Sequence, residues 1–259
     1  MADPVGFRVV HHVDGPRVRL GIAWFVVAVG AALASRTLLA LVMAAAGALA
    51  ADEVVRIHRC ARLALPGNAE RAQRFLGSPE RVLAVIVGTG LPVGAAAGSD
   101  TMAAFAALSA LLALTLGLRG LLPLLSGLTV GVAAASPVLL AHLGSGAAVA
   151  LLVLVAAYDA GDFIVGTGAS TSWEGPAAGV TAVAVLGFAT VVVAQPPLEE
   201  DGSATLAVLV ALLAPLGPPL ASVLVGDGAT PARFVRRLDS LLLVGPLAAF
   251  AMAGLLPRL

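Results

Sequence analysis

The sequence predicts an all-α integral membrane protein, a helical bundle with about eight or nine transmembrane helices. Three observations lead to this prediction. Hydrophobic residues make up 59% of the 259 positions and charged residues only 12%, the mean hydropathy is +1.01, and apolar runs recur from about residue 20 onwards. Soluble domains carry about 25% charged residues. We therefore expect a polar tail over residues 1–19, followed by one membrane-embedded domain over residues 20–259.

The charged and sulfur-containing residues exclude several classes of function. All 15 basic residues are arginines, so the chain has no amine for a Schiff base or for a phosphate-loop lysine. A formal net charge of zero argues against nucleic acid as a partner. The one cysteine, Cys60, excludes a disulfide framework and a zinc site built from several cysteines.

The predicted spans follow from the length of each apolar run, because a bilayer-crossing helix needs about 20 apolar residues. The runs are 20–34, 37–51, 82–98, 101–118, 121–141, 145–165, 177–194, 204–225 and 240–256. Residues 35–37, between the first two runs, are either a tight turn or a break in one long helix. Nine spans agree best with the distribution of arginines.

Arginine predicts the orientation, because short cytoplasmic loops of membrane proteins collect basic residues. The basic segment 52–81 carries Arg56, Arg59, Arg62, Arg71, Arg74 and Arg81. We expect short amphipathic helices there, on the cytoplasmic surface of a multi-pass protein of the cell membrane. Counting spans from this segment also makes the loop with Arg233, Arg236 and Arg237 cytoplasmic, and makes the acidic loop 195–203 external.

Ionisable residues at membrane depth are expensive and are candidates for function. Asp159 and Asp162, three residues apart near the end of the sixth span, share one helix face and could present two carboxylates to a cation. A second acidic and basic cluster contains Asp227, Arg236, Arg237 and Asp239. The alternative is that these acids meet water at helix ends or pair with arginines. A shared metal site requires the four aspartates to converge within about 6–8 Å.

The loop 167–176 lies between these clusters and has the sequence TGASTSWEGP. Its hydroxyl groups, free backbone amides and one carboxylate suit phosphate or nucleotide binding, with Ser172, Trp173, Glu174 and Gly175 as the candidate residues. A plain connector would also be rich in glycine and serine, and Trp173 could be an interfacial anchor. The four histidines are expected to face solvent or to be hydrogen-bonded rather than to act in catalysis.

Taken in order, these segments resemble the CDP-diacylglycerol synthases, also called phosphatidate cytidylyltransferases. The resemblance rests on residues 158–166 (YDAGDFIVG), 172–175 (SWEG), Gly226-Asp227 and 237–241 (RLDSL), with Pro246 following. Glu53, which closes the second span, is similar to an early glutamate of that family. The resemblance extends over most of the chain and is most specific in residues 158–175 and 226–246.

The resemblance implies that CTP and phosphatidic acid react to give CDP-diacylglycerol and pyrophosphate, with Mg²⁺ as cofactor. Asp159, Asp162, Asp227 and Asp239 would then be metal ligands or their supports. The implied catalytic residues are Asp227, Asp239 and Arg237, and the implied substrate-binding residues are Ser172, Trp173, Glu174, Gly175 and Arg236. Membrane lipids are further expected partners, and a homodimer is possible.

Two departures from the family pattern leave alternatives open. Arg236 occupies the position of the first signature aspartate, and the stretch after Asp227 is shortened. Asp162, where the family has alanine, is a candidate for supplying the lost negative charge. The chain could accordingly be a catalytically impaired paralogue that binds a lipid or a protein partner. A further alternative is a small-solute transporter with Asp159 and Asp162 as proton or cation sites, although no internal repeat is apparent.

Overall fold

A computed structural model describes residues 15–63, 78–192, 199–226 and 232–255. Within these ranges the chain forms α-helices and two short 3-10 helices and contains no strand, which confirms the predicted all-α class. Six helical segments are long and apolar enough to cross a membrane. Three further apolar helices are shorter, namely Gly21–Ala34, Ser99–Thr115 and Leu241–Gly254. The described residues therefore hold nine apolar helical segments, in the places where the sequence predicts nine spans.

The helices follow one another with short connections. They are α1 (Gly15–Ala34), α2 (Arg36–Leu63), α3 (Pro79–Ala97), α4 (Ser99–Thr115), α5 (Leu118–Leu140), α6 (Ser145–Gly166), α7 (Glu174–Val192), α8 (Glu199–Leu213), α9 (Gly217–Val225) and α10 (Leu241–Leu255). One 3-10 helix, Ala214–Leu216, separates α8 from α9, and the other, Val235–Arg237, precedes α10. Gly226 ends α9 with a φ of +81°, a left-handed conformation that glycine adopts readily.

Helices α1 and α2 form a hairpin that reverses at Ser35. Gly21 in α1 lies against the guanidinium group of Arg237, and Glu53 in α2 binds the backbone of residues 233–235. Both helices thus reach residues 233–237, which form part of the turn before α10. One continuous helix would instead separate residues 21 and 53 by about 48 Å. The Ser35 hydroxyl accepts a hydrogen bond of 3.1 Å from the Leu38 amide. The expected tight turn is therefore confined to Ser35, and Arg36 and Thr37 already belong to α2.

Glycines allow α2, α3 and α5 to pack closely in the centre of the bundle. Gly47 and Gly88 face each other where α2 meets α3, and a Cβ atom on either would overlap the backbone of the other. Gly127 and Gly131 bring α5 close to α3, where an added Cβ atom would overlap the side chains of Val87 and Leu91. Because lipid tails supply no hydrophobic drive for helix association, close van der Waals packing holds such helices together.

The helix ends form two groups, which we call the motif end and the opposite end. The motif end contains the end of α2, the start of α3, the end of α6, the start of α7 and the turn before α10. The opposite end contains the starts of α2 and α6 and the ends of α3 and α5. There the Arg36 guanidinium donates to His142 Nδ1 (2.9 Å), and His142 Nε2 donates to the Ala95 carbonyl (2.8 Å). His142 is therefore hydrogen-bonded, as we expect for the histidines of this chain.

The crossing from residue 201 to residue 225 is built from two helices rather than one. Prolines at positions 215 and 218 lack the amide hydrogen that an uninterrupted helix would use, and the 3-10 helix lies at this break. At the start of α9, Gly217 lies against the backbone carbonyl of Asp239, where a Cβ atom would overlap it. The turn before α10 consequently packs directly against α9.

The basic segment differs in part from the expectation of separate surface helices. Residues 52–63 continue α2 without a break, so for them the expectation is wrong. An apolar span marks only the part of a helix that lipid surrounds, and a helix with polar residues can continue beyond it. Asp52 pairs with Arg56 (2.9 Å) and with Arg81 of α3 (2.5 Å). Residues 64–77 and residues 1–14 of the polar tail lie outside the described ranges.

Candidate functional site

Two aspartates near the end of α6 form the first part of the site. Asp159 and Asp162 lie within α6 (Ser145–Gly166), and their spacing places them on neighbouring positions of one helix face. Asp159 is exposed, whereas Asp162 has only 8% of its surface exposed. The preceding Tyr158 is buried against Gly179 of α7, so the end of α6 is fixed by close packing.

Ser240 joins α6 to the turn before α10. Its hydroxyl donates a hydrogen bond of 2.5 Å to Asp159 Oδ1, and its backbone amide donates one of 2.9 Å to Asp239 Oδ1. Asp159 and Asp239 are 80 positions apart in sequence, and one residue holds both carboxylates. The sequence places Ser240 within the RLDSL segment but gives it no role, because a serine hydroxyl has no spacing pattern that reveals a distant partner.

Asp162 lies against the first turn of α7. A Cβ atom built on Gly175 would overlap Asp162 Oδ1 and would also approach the Asp162 carbonyl oxygen. Glycine at position 175 therefore allows the SWEG segment to lie directly against the end of α6. Three segments that the sequence singled out, 158–166, 172–175 and 237–241, thus meet at one place.

The other residues of the SWEG segment have different surroundings. Glu174 Oε1 accepts hydrogen bonds from Ser170 Oγ (2.9 Å), the Thr171 amide (3.1 Å) and Thr171 Oγ1 (3.0 Å). These contacts shape the loop from within. Ser172 is exposed, and Trp173 has 78% of its surface exposed, which leaves both accessible to a ligand or to lipid head groups.

The two arginines of the second cluster point to different partners. Arg236 donates from Nη1 to the Pro218 carbonyl (3.1 Å) and from Nη2 to Ser222 Oγ (3.1 Å), both on α9. Arg237 lies against Gly21 of α1, and its charge acts on Asp159. Arg236 thus links the 3-10 helix to α9, whereas the positive charge of Arg237 lies near Asp159.

The electrostatic surroundings of Asp239 follow from its burial. It lies just before α10 with 8% of its surface exposed. Burial raises the pKa of its carboxyl above the usual range, the neighbouring charge of Asp159 raises it further, and Arg236 acts in the opposite direction. The charge of Asp162 also raises the pKa of Asp239. Asp227, the fourth predicted acid, lies outside the described residues.

Glu53 is a further residue of this region, which the sequence noted without placing it in the site. Its Oε1 atom accepts a hydrogen bond from the Arg233 amide (2.8 Å), and its Oε2 atom accepts two more, from Phe234 (2.8 Å) and Val235 (3.0 Å). His58, also on α2, donates from Nε2 to the Leu224 carbonyl (2.8 Å). Helix α2 therefore contacts both α9 and the turn that leads to Asp239.

The acids of this region could hold a magnesium ion only as a small set of ligands. Among the residues that the structure describes, no three His, Cys, Asp or Glu side chains are arranged to hold one metal ion. Mg²⁺ is commonly bound by only one or two carboxylates together with substrate phosphates and water. Asp159 and Asp239, on either side of Ser240, meet that smaller requirement as oxygen donors.

No protein-family profile, curated protein or solved structure matches this chain. A functional assignment consequently depends on the residues and contacts of the chain itself.

Proposed function

We propose that this chain is a membrane-embedded nucleotidyltransferase of the CDP-diacylglycerol synthase type, which joins CTP to phosphatidic acid. The observation that carries the proposal is the hydrogen bond from Ser240 to Asp159. It connects two of the segments on which the resemblance rests, and Gly175 brings the third against Asp162. Segments 158–166 and 172–175 meet because a short loop joins them, whereas 237–241 is about 60 residues further along the chain and reaches Asp159 only through the fold.

The proposed reaction forms one phosphoanhydride bond and breaks another. A phosphate oxygen of phosphatidic acid attacks the α-phosphorus of CTP, and the bond from that phosphorus to the β-phosphate oxygen breaks. Pyrophosphate leaves with the bonding electron pair, and CDP-diacylglycerol remains in the membrane. Positioning and charge stabilisation supply most of the catalysis in phosphoryl transfer, so acids and an arginine that the fold holds in place are appropriate groups.

Each residue near Ser240 has a role in this proposal. Asp159 and Asp239 would hold Mg²⁺, which when bound neutralises charge on the triphosphate. Asp162 would add negative charge beside them. Arg237 would bind phosphate oxygens, since a guanidinium group suits their geometry, and the exposed Ser172 and Trp173 would contact the nucleotide.

The location of the site supports a lipid substrate. The motif end carries the arginines Arg56, Arg59, Arg81, Arg233, Arg236 and Arg237, and basic residues favour the cytoplasmic side of a membrane. CTP would reach this side from the cytoplasm of a cell whose plasma membrane holds the protein. Exposed apolar residues next to the site, Ile164 at 73% and Trp173 at 78%, would contact lipid.

A direct assay tests this proposal. Purified protein in lipid nanodiscs would be given Mg²⁺, CTP and phosphatidic acid, and pyrophosphate release would be measured. We expect release by the wild type and a loss of about 100-fold or more in Asp159→Asn and Asp239→Asn. Asp100→Asn, which changes an exposed acid at the start of α4, is the matched control and should retain activity. Absence of release by the folded wild type would overturn the proposal.

The second candidate function is a catalytically impaired paralogue that binds a lipid or a protein partner. Arg236 favours this candidate, because it places a cation at the position of a family acid and acts on Asp239. Magnesium-dependent CTP binding without turnover would support it. Solute uptake in proteoliposomes that requires Asp159 would instead support the transporter.

A further inference from the structure

Glu53 is buried, with 7% of its surface exposed, and its carboxylate faces three consecutive backbone amides. The donors are Arg233, Phe234 and Val235, about 180 positions away in sequence. The first amides of a helix have no carbonyl partner within that helix. Here the 3-10 helix Val235–Arg237 begins at the third of these amides. A side chain from α2 therefore supplies the missing acceptors at the start of this helix.

The turn that Glu53 binds leads directly to the site. Val235–Arg237 carries Arg237, and the two residues after Leu238 are Asp239 and Ser240. Ser240 in turn donates to Asp159 on α6. A chain of contacts thus runs from α2 through the turn to α6, and a shift of the turn would move Asp239 and Ser240 relative to Asp159.

We propose that Glu53 is the positioning residue of this site: it fixes the turn so that Asp239 and Ser240 face Asp159. An effect of Glu53 on catalysis rests on the proposed function. Its effect on the position of the turn does not. The carboxylate of Glu53 binds the backbone amides of residues 233–235, so its proposed action on the site passes through the turn.

The contacts require a carboxylate of this length. Both oxygens of Glu53 accept hydrogen bonds, and one of them accepts two. A glutamine has one oxygen and one NH₂ group, and the NH₂ group would face a backbone N–H with no acceptor between them. An aspartate keeps both oxygens but is shorter by one methylene group, so it would not reach all three amides. Both substitutions should release the turn.

Hydrogen exchange followed by mass spectrometry tests this proposal directly. We expect peptides covering residues 233–235 to exchange about tenfold faster or more in Glu53→Gln than in the wild type, because these amides lose their acceptors. Peptides from α3 and α5 should exchange at unchanged rates. Asp52→Asn is the matched control. Asp52 precedes Glu53 in the chain, but its carboxylate pairs with Arg56 and Arg81, so exchange at 233–235 should not change.

Activity gives the second measurement. If the turn positions Asp239, Glu53→Gln should lower kcat by about 100-fold, since small misplacements have effects of that size, while KM for CTP changes less than kcat. Glu53→Asp serves if Glu53→Gln does not fold. Unchanged exchange at 233–235 in the folded variant would overturn the positioning role. Inactive wild-type protein would overturn only the proposed function, because the exchange result remains decisive for Glu53.

Discussion

The two ends of the bundle hold their helices together in different ways. All four buried acids among the described residues, Glu53, Glu80, Asp162 and Asp239, lie at the motif end. At the opposite end, the acids Asp100 and Asp201 are exposed, and the imidazole of His142 makes an inter-helix contact between Arg36 and a carbonyl. One end thus buries acidic side chains, whereas these acids of the other end lie at the surface.

The buried acids of the motif end are a cost to folding that the exposed acids of the opposite end avoid. Burying an ion pair often gives no net stability, because desolvation offsets the attraction between the charges. Glu80 has a clear partner in Arg59, and Glu53 has its three amides. Asp239 accepts a hydrogen bond from the Ser240 amide, but it also lies near another acid, Asp159, and like-charge repulsion between the two costs free energy. A bundle that needed only to fold could have used the simpler contacts of the opposite end at both ends.

The largest effect in this comparison is expected at Gly217. Gly217→Val would force the start of α9 away from the Asp239 carbonyl, because even a Cβ atom overlaps it. We expect a loss of about 1–3 kcal/mol in stability, typical of overpacking, and loss of pyrophosphate release. Thermal unfolding in detergent and the release assay measure the two effects. Gly146→Val, near the start of α6 at the opposite end, is the control, since no atom lies within 4 Å of its added Cβ.

A smaller effect is expected when the contact between α6 and the turn is removed. Ser240→Ala deletes the hydroxyl that donates to Asp159 Oδ1 but keeps the backbone amide that donates to Asp239. Activity should fall about tenfold, as for other groups that orient metal-binding carboxylates, and the unfolding temperature should change little. Ser99→Ala, on an exposed serine at the start of α4, should leave the pyrophosphate release rate unchanged. Full activity in Ser240→Ala would show that this hydrogen bond does not organise the site.

The smallest effect is expected at the opposite end. His142→Ala removes two hydrogen bonds, to Arg36 and to the Ala95 carbonyl, and should lower stability by about 1 kcal/mol. The rate of pyrophosphate release should not change, because no described contact joins His142 to the site. A fall in activity as large as that of Ser240→Ala would mean that the two ends are not functionally separate.

The sequence predicts the fold well because its main signal is local. Each apolar run reports one span, and the positions of the helices follow the predicted spans closely. The end of α2 was predicted less well: the apolar run stops near residue 51, whereas the helix continues to Leu63. Hydropathy measures the part of a helix in contact with lipid, so it does not report a polar extension.

The sequence predicts only those residues of the site that have a local signal. Asp159 and Asp162 were identifiable because acids in an apolar run are conspicuous. Asp239 was identifiable as part of a charged cluster next to an apolar run, and the resemblance added its implied role. The roles of Ser240 and Glu53 depend on partners far away in the sequence, and neither periodicity nor composition encodes such pairings. Gly217 has no functional group, so only its packing against Asp239 reveals its importance. Asp227 remains a prediction.

The hairpin at Ser35 also determines where the two ends of the described chain emerge. Helix α1 begins at residue 15 on the side of Arg237, whereas α10 leaves the turn at Leu241 and ends at residue 255 on the other side. The first and last described residues are consequently separated by the thickness of the bundle. A fluorescent label on the first turn of α1 would lie on the same side of the bundle as the acids, and a label on the last turn of α10 would lie on the opposite side.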